Sequence, residues 1–209
     1  MSHYFSIHPE NPQARLIQQA VEIIMQGGVA VYPTDSGYAL GCRMGEKNAI
    51  ERICRIRDLD KEHHFTLMCR DLSELSTYAR VDNIAFRLLK NNTPGPYTFI
   101  LKATKEVPKR LLNAKRKTIG IRVSDDPICV ALLEALGEPL MSTSLILGDN
   151  DFAESDPYEI RDQLDNQVDV IIDGEHRGQA PTTVVDLADD EVVVTRVGAG
   201  DPSPFEQSR

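Results

Sequence analysis

Hydroxyl groups and arginine side chains recur at the ends of several predicted strands. Thr34, Asp35 and Ser36 directly follow the apolar run of residues 27–32 and precede a second apolar run at residues 38–42. Groups of the same kind stand near other predicted strands, namely Thr118, Arg122, Ser142, Thr143, Ser144, Thr182, Thr183 and Arg196. Arginine offers a planar fork to phosphate oxygens, and hydroxyls add neutral hydrogen-bond donors. The set is typical of a nucleotide triphosphate site.

Each of these residues, taken alone, also has a structural explanation. Hydroxyls cap helices and fill turns, and Arg55 and Arg57 stand where they can cap the C-terminus of a predicted helix. The sequence contains no GxxxxGK[ST], GxGxxG or GxSxG motif, which disfavours a P-loop enzyme, a Rossmann dinucleotide site and an α/β-hydrolase. The adjacent histidines His63 and His64 are interpreted as loop residues, with the option that one of them lines a site.

Helical and strand patterns alternate along the chain. Helices are predicted at about residues 12–26, 47–57, 71–78, 82–90, 127–137 and from 155 onward. Strands are predicted at about residues 29–32, 38–42, 65–69, 96–101, 118–123 and 140–145, and within 168–173, 182–187 and 191–197. Most of these strands are continuous apolar runs, and closely spaced pairs predict antiparallel neighbours. We therefore predict an α/β fold of three layers, in which a twisted, open, mixed β-sheet carries helices on both faces.

Length and composition point to one ordinary globular domain. The 209 residues contain no repeat and no long linker, so we predict a single domain over residues 1–209 with a flexible C-terminal tail from about residue 201. No apolar stretch approaches the roughly 20 residues that cross a bilayer, and no secretion signal is visible. The four cysteines have no metal-ligand spacing and are interpreted as reduced thiols. These observations predict a cytoplasmic protein without a membrane partner.

Charge is distributed unevenly between the two parts of the chain. The net charge is −9, yet residues 1–123 carry 19 Lys+Arg against 12 Asp+Glu, while residues 124–209 carry 4 against 20. The densest basic stretch runs from Lys102 to Arg122, where eight cations are opposed only by Glu106. Such a stretch indicates either a phosphate-binding surface or an ordinary solvated charged segment.

Five motifs, taken in chain order, resemble those of the YrdC/YciO family, the threonylcarbamoyl-AMP synthases and their relatives. They are PTDSGYALG at residues 33–41, PGPYTF at 94–99, TIGIR at 118–122, PTTVVD at 181–186 and RVG at 196–198. The resemblance spans roughly residues 8 to 200. The segments FTLMCRDLSELS, NNTPGPYTFILK and RKTIGIR look most like the bacterial YciO branch.

The resemblance implies a reaction and a set of site residues. The amine of L-threonine captures bicarbonate, and the carbamate attacks the α-phosphate of ATP, giving threonylcarbamoyl-AMP and pyrophosphate for t6A modification of tRNA. Mg²⁺ is expected to accompany ATP, and no metal ligand is assigned. The implied threonine site consists of Thr34, Tyr38, Arg122, Ser142 and Thr182. The implied nucleotide site consists of Arg55, Arg57, Thr118, Ser144 and Arg196, with Arg55 and Arg57 in catalytic roles.

The chain departs from the synthase pattern at two positions. The synthases carry Lys-x-Arg where this chain has Arg55-Ile56-Arg57, and Ser-x-Asn where it has Ser142-Thr143-Ser144. Arginine keeps the charge of lysine but changes its reach, and serine removes the amide donor and acceptor of asparagine. The resemblance thus implies a synthase of high or low activity, or one that uses another acceptor.

The alternative is a non-catalytic protein of the same fold that binds double-stranded RNA or tRNA. Phosphate contacts along the basic stretch would give binding that is tolerant of sequence and sensitive to salt. The predicted RNA-binding residues are Lys102, Lys105, Lys109, Arg110, Lys115, Arg116 and Lys117. The sequence makes no prediction of the oligomeric state.

Overall fold

The structure is a computed structural model that describes residues 1–60 and 63–206. The strands are β1 (His3–Ser6), β2 (Ala30–Thr34), β3 (Gly37–Arg43), β4 (Thr66–Met68), β5 (Tyr97–Lys102), β6 (Thr118–Arg122), β7 (Leu140–Ser144), β8 (Val170–Asp173), β9 (Thr183–Asp186) and β10 (Val193–Arg196). The helices are α1 (Ala14–Met25), α2 (Lys47–Arg57), α3 (Leu72–Tyr78), α4 (Asn83–Asn92), α5 (Pro127–Leu136), α6 (Pro157–Leu164) and α7 (Ser203–Glu206). A short 3-10 helix covers Lys109–Leu111.

The strands of the described residues form one sheet in the order β1-β8-β2-β3-β7-β4-β6-β5-β9-β10. β4 pairs in parallel with β6, and β5 with β9, whereas β2 with β3 and β9 with β10 are antiparallel. The predicted α/β fold with a mixed sheet is confirmed. The strand β1 was not predicted, because its four residues HYFS show no clear alternation and lie at a sheet edge beside β8.

Local signals in the sequence explain where helices begin and end. The Asp126 side chain accepts hydrogen bonds from the backbone N–H groups of Ile128 and Cys129, at 3.0 and 3.2 Å, and so caps α5. Pro127 follows as the first helical residue, and Gly137 ends the helix at φ 74°. These signals place the end of α5 directly before β7, which carries three of the predicted polar residues.

One face of the sheet is covered by most of the helices. α2, α3, α4, α6 and α7 bury Ile53, Leu75, Leu89, Leu164 and Phe205 in a shared cluster with the strands. Burial of each such side chain contributes about 1.5–3 kcal/mol relative to exposure. This cluster fixes the strands as a rigid platform for the opposite face.

The opposite face is covered over only part of the sheet. α1 and α5 bury Ile24 and Leu132 against Tyr32, Met68 and Ile172, which belong to β2, β4 and β8. Residues from β4, β5, β6 and β9 on this part of the sheet instead line a cavity. Helices therefore flank both faces, as predicted, but leave one region of the second face open to a ligand.

The chain end differs from the expected flexible tail beginning near residue 201. Residues 203–206 form α7, and Phe205 is 1% exposed. Its ring lies 5.4 Å from that of Tyr97 and 5.9 Å from that of Phe99, measured between ring centroids. The aromatic burial offsets the entropy of ordering these residues. The part of the expected tail beyond residue 206 lies outside the described residues.

Candidate functional site

A cavity of about 400 Å³ lies on the open part of the second sheet face. This volume falls in the range that small-molecule sites usually have, roughly 300–1,000 Å³. Side chains from the end of α2 and from six strands, with residues that flank them, line it. It brings together seven of the predicted site residues, namely Arg57, Thr118, Arg122, Ser142, Ser144, Thr182 and Arg196.

Arg122 is the most buried cation of this group, with 5% of the residue exposed. Its Nη2 donates a short hydrogen bond to Oδ1 of Asp35 and lies 3.5 Å from Oγ1 of Thr34. Three strands separate β2 from β6 in the sheet, so this contact joins segments whose strands are not neighbours. Burial raises the pKa of Asp35, and the positive charge of Arg122 opposes the rise.

Two atoms of this buried pair have no hydrogen-bond partner within the part of the chain that the structure describes. They are Nε of Arg122 and Oδ2 of Asp35. Buried polar groups are normally satisfied, and an orphan costs about 1–3 kcal/mol. Both atoms are enclosed by the protein, and the residue Arg122 lines the cavity.

The residues that follow β2 are held by their own hydrogen bonds. The Thr34 hydroxyl donates to the carbonyl of Gly37 at 2.7 Å and accepts from the backbone N–H of Ser36 at 3.1 Å. Tyr38 donates to the carbonyl of Glu175 at 2.7 Å and is buried. Thr34 is not among the residues that line the cavity, although its hydroxyl is near Arg122, which does line it. Tyr38 is also not a lining residue, contrary to its expected place in the pocket.

Ser142 also lines the cavity, but its hydroxyl already has a partner. Its Oγ lies 2.6 Å from the Tyr32 hydroxyl, which is fully buried on the side covered by α5. Ser144, two residues further, lines the cavity and is only partly buried. The Ser-x-Ser segment therefore offers one engaged and one available hydroxyl.

Arg57 and Arg55 occupy different environments. Arg57, the last residue of α2, lines the cavity, and its Nη1 donates to the carbonyl of Ile146 at 2.5 Å. Arg55 is exposed and does not line the cavity. Two positions on an α-helix differ by about 200°, so both side chains cannot face one site. The structure therefore places Arg55 outside the cavity wall, and its expected contact with the nucleotide stays a prediction.

Arg196 is hydrogen-bonded to Thr182, the residue that directly precedes β9. Its Nε and Nη2 donate to the carbonyl of Thr182 at 3.0 and 2.8 Å, and Nη2 also reaches the Thr182 hydroxyl at 3.0 Å. The glycine of the RVG motif permits this packing, because a Cβ on Gly198 would lie 2.1 Å from the carbonyl oxygen of Pro181. The motif is thus explained by close backbone approach as well as by charge.

The cavity contains cations that no described carboxylate neutralises. Arg116 pairs with Asp186 at 2.6 Å and Asp189 at 2.7 Å, and Arg122 pairs with Asp35. Within residues 1–60 and 63–206, no ion pair to a carboxylate involves Arg57 or Arg196, the other two arginines that line the cavity. Burial lowers the pKa of both groups, and Arg122 adds to the effect at Arg196. Such a site favours an anionic ligand.

His63 and His64 also line the cavity. The sequence left open whether one of these two histidines lines a site. Nε2 of His63 lies 3.2 Å from Oγ1 of Thr143, and its ring meets that of Phe65 edge-on at 5.1 Å. Burial lowers the pKa of His63, with Arg57 and His64 adding to the effect and Asp60 opposing it. The histidine pair directly before a strand was the available signal, but adjacent residues alone did not indicate which one faces the site.

The basic stretch is partly neutralised by the acidic second half of the chain. Lys102 lies 3.2 Å from Asp189, which also binds Arg116. The remaining predicted RNA-binding residues are exposed, namely Lys105, Lys109, Arg110, Lys115 and Lys117. Two of the seven predicted cations are therefore committed to internal ion pairs.

Among the described residues, no group of three or more His, Cys, Asp or Glu side chains is placed to hold a metal ion. Within the same residues, no helix has the length and apolar character that crossing a membrane requires.

Comparison with known proteins identifies close and distant relatives. The Escherichia coli (strain K12) protein described as "Uncharacterized protein YciO" is 69% identical over 205 residues, which cover 98% of this chain and 100% of that protein. The crystal structure of E. coli YciO superposes with a TM-score of 0.95 over the same shares of both chains. The threonylcarbamoyl-AMP synthase of Vibrio vulnificus (strain YJ016) is 32% identical over 162 residues, or 76% of this chain and 86% of that enzyme.

A third relative is known from a ligand complex. The crystal structure of P. abyssi Sua5 complexed with L-threonine matches with a TM-score of 0.89 at 22% identity, covering 98% of this chain and 60% of that one. This likeness concerns the fold. The family model Sua5/YciO/YrdC, described as "Telomere recombination", matches residues 22–198. From this match, and from the identity to the relatives above, the chain belongs to the Sua5/YciO/YrdC family.

Proposed function

We propose that this protein is a threonylcarbamoyl-AMP synthase-like nucleotidyltransferase that uses ATP, L-threonine and bicarbonate and releases pyrophosphate. In this proposal its product serves t6A modification of tRNA. The observation that carries the proposal is the convergence of Arg57, Arg122 and Arg196 in one cavity of about 400 Å³ with several hydroxyl-bearing residues. A named synthase among the relatives, at 32% identity, supports the same reaction class.

The uncompensated cations suit the ATP phosphates. Arg57 and Arg196 have no acidic partner among the described residues, so a triphosphate would neutralise charges that no described carboxylate balances. Thr118 and Ser144 add hydroxyls along the same wall. In this role Arg57 exchanges its bond to the Ile146 carbonyl for a phosphate oxygen.

The buried Asp35–Arg122 pair suits the amino acid. In this proposal the guanidinium of Arg122 binds the carboxylate of L-threonine, while Asp35 holds the guanidinium in place. Thr182, hydrogen-bonded to Thr98 at 2.7 Å, lies on the same cavity wall. The complex of the family member Sua5 with L-threonine supports this choice of ligand.

The chemistry needs positioning and charge neutralisation rather than a covalent nucleophile. The carbamate oxygen of threonine attacks the α-phosphorus, and the bond from that phosphorus to the leaving pyrophosphate breaks. In this proposal Arg57 and Arg196 neutralise charge on the leaving group. Mg²⁺ enters as part of the ATP substrate, held by its phosphates.

Pyrophosphate release tests the proposed activity. We expect release from ATP and bicarbonate to depend on L-threonine, since the carbamate is the attacking group. The assay compares complete mixtures with mixtures that lack threonine, on full-length protein. Release that is identical without threonine, or absent altogether, would contradict the proposal.

A second candidate function is RNA binding, which the five exposed cations of the basic stretch favour. If this function holds, the double substitution Lys109→Gln and Arg110→Gln should weaken binding of a double-stranded RNA. The slope of the logarithm of the binding constant against the logarithm of the salt concentration should become shallower by about one unit for each lost phosphate contact. Lys102→Gln is the matched control, because Lys102 is already paired with Asp189 at 3.2 Å. Fluorescence anisotropy over a salt series measures both. Equal effects of the paired and unpaired positions would argue against this surface.

A further inference from the structure

His63 precedes β4 and lines the cavity that holds both proposed subsites. Its Nε2 contacts Oγ1 of Thr143 at 3.2 Å. Thr143 stands in β7 and also lines the cavity, although alternation along the strand turns its side chain away from the face of Ser142 and Ser144. The imidazole lines the same cavity as Arg57 and Arg122.

The surroundings of His63 keep its ring neutral and oriented. Burial, the positive charge of Arg57 and the neighbouring His64 disfavour a second proton on the ring, while Asp60 opposes them, and the pKa of His63 is lowered in balance. The edge-on contact with Phe65 and the bond to Thr143 restrict its rotation. A neutral, oriented imidazole is suited to accept a proton.

We propose that His63 is the general base that removes a proton from the ammonium group of the bound amino acid. The inference rests on the proposed function and names the residue that starts its first step. An ammonium has no lone pair, so it cannot attack bicarbonate until it loses a proton.

The step balances in atoms and charge. The ammonium gives one proton to the imidazole and becomes an amine, which attacks the carbon of bicarbonate. A C–N bond forms, a C–O bond breaks, and the departing hydroxide takes the second amine proton and leaves as water. The products are a carbamate, water and an imidazolium, which loses its proton to solvent after turnover. No oxidant or reductant is required.

Other cavity groups are poorer candidates for this role. Arginine cannot accept a proton, and serine and threonine hydroxyls are not bases at neutral pH. Asp35 is engaged by Arg122, and Asp186 by Arg116. His64 is exposed, whereas His63 is partly buried against the cavity wall.

The test compares His63→Gln with the control His176→Gln, a substitution of an exposed histidine outside the cavity lining. We expect His63→Gln to lower the rate of threonine-dependent pyrophosphate release by about 10²-fold or more, as loss of a general base does. His176→Gln should remain near the wild-type rate. Thr143→Val should give a smaller loss, because it frees the ring without removing it.

Two further readouts separate catalysis from structure. The wild-type rate should fall at low pH as His63 becomes protonated, and this acid limb should disappear in His63→Gln. The reverse reaction, ATP formation from threonylcarbamoyl-AMP and pyrophosphate, involves no ammonium, so its rate should be unaffected by His63→Gln. Equal loss in both directions would overturn the role as a base. So would a wild-type acid limb that persists in the variant.

Failure of this inference is distinguishable from failure of the proposed function. An active wild-type protein with an equally active His63→Gln variant would overturn the inference and leave the synthase activity standing. A folded wild-type protein that forms no adenylate would overturn both.

Discussion

Arg122→Met is expected to destabilise the protein and to abolish binding of L-threonine. Arg122 is 5% exposed and holds the carboxylate of Asp35, so the substitution leaves a buried charge without a partner. Breaking a buried pair by removing one member costs about 3–5 kcal/mol. Urea unfolding measures the loss of stability, and calorimetric titration with threonine measures binding.

A second substitution separates the two effects of this change. Asp35→Asn combined with Arg122→Met removes both charges, so we expect most of the lost stability to return while threonine binding stays absent. Threonine binding by the stable double variant would contradict the assignment of Arg122 to the ligand carboxylate. Persistent instability of the double variant would indicate that packing, rather than the unpaired charge, dominates the cost.

Arg57→Ala is expected to lower the rate of adenylate formation by about 10²–10³-fold, because one charge contact to the developing transition state is lost. The matched control is Arg55→Ala. Both residues lie in the last turn of α2 and carry the same charge, but only Arg57 lines the cavity. We therefore expect Arg55→Ala to retain nearly the wild-type rate and affinity for ATP.

Steady-state rates of pyrophosphate release for the two variants test this distinction. Comparable losses at both positions would show that Arg55 reaches the nucleotide and would restore the assignment made from the motif. Retention of the wild-type rate in both variants would contradict the assignment of Arg57 to the phosphate site. Circular dichroism confirms that helix α2 remains folded in each variant.

Local patterns in the sequence were sufficient to predict much of the fold. The helix α2 was predicted over residues 47–57 and is observed at Lys47–Arg57, because its apolar residues recur at helical spacing. The helix predicted at about residues 71–78 is observed at Leu72–Tyr78, where the Asp71 side chain caps it by accepting from the Glu74 backbone N–H at 2.8 Å. These signals depend only on neighbours in the chain.

Features that depend on contacts distant in sequence were not predictable in this way. Asp35 and Arg122 are 87 positions apart, and nothing local indicates that they pair. The burial of Phe205 depends on Tyr97 and Phe99. The motif Arg55-Ile56-Arg57 suggested a pair of site cations, but helix geometry turns one of them away.

The two departures from the synthase pattern have different structural weight. The change at position 55 affects an exposed residue outside the cavity wall. Ser144 lines the cavity, so its shorter side chain alters the wall itself. We therefore attribute any difference in rate or acceptor choice from the synthases to Ser144 rather than to Arg55.

Labelled bicarbonate tests the proposed reaction most directly. The folded protein is incubated with ATP, L-threonine and ¹³C-bicarbonate, and the nucleotides are examined by mass spectrometry. We predict an adenylate with the mass of threonylcarbamoyl-AMP that carries a single ¹³C atom and requires threonine. Absence of any labelled adenylate, from protein that still binds ATP and threonine, would contradict the proposed synthase activity.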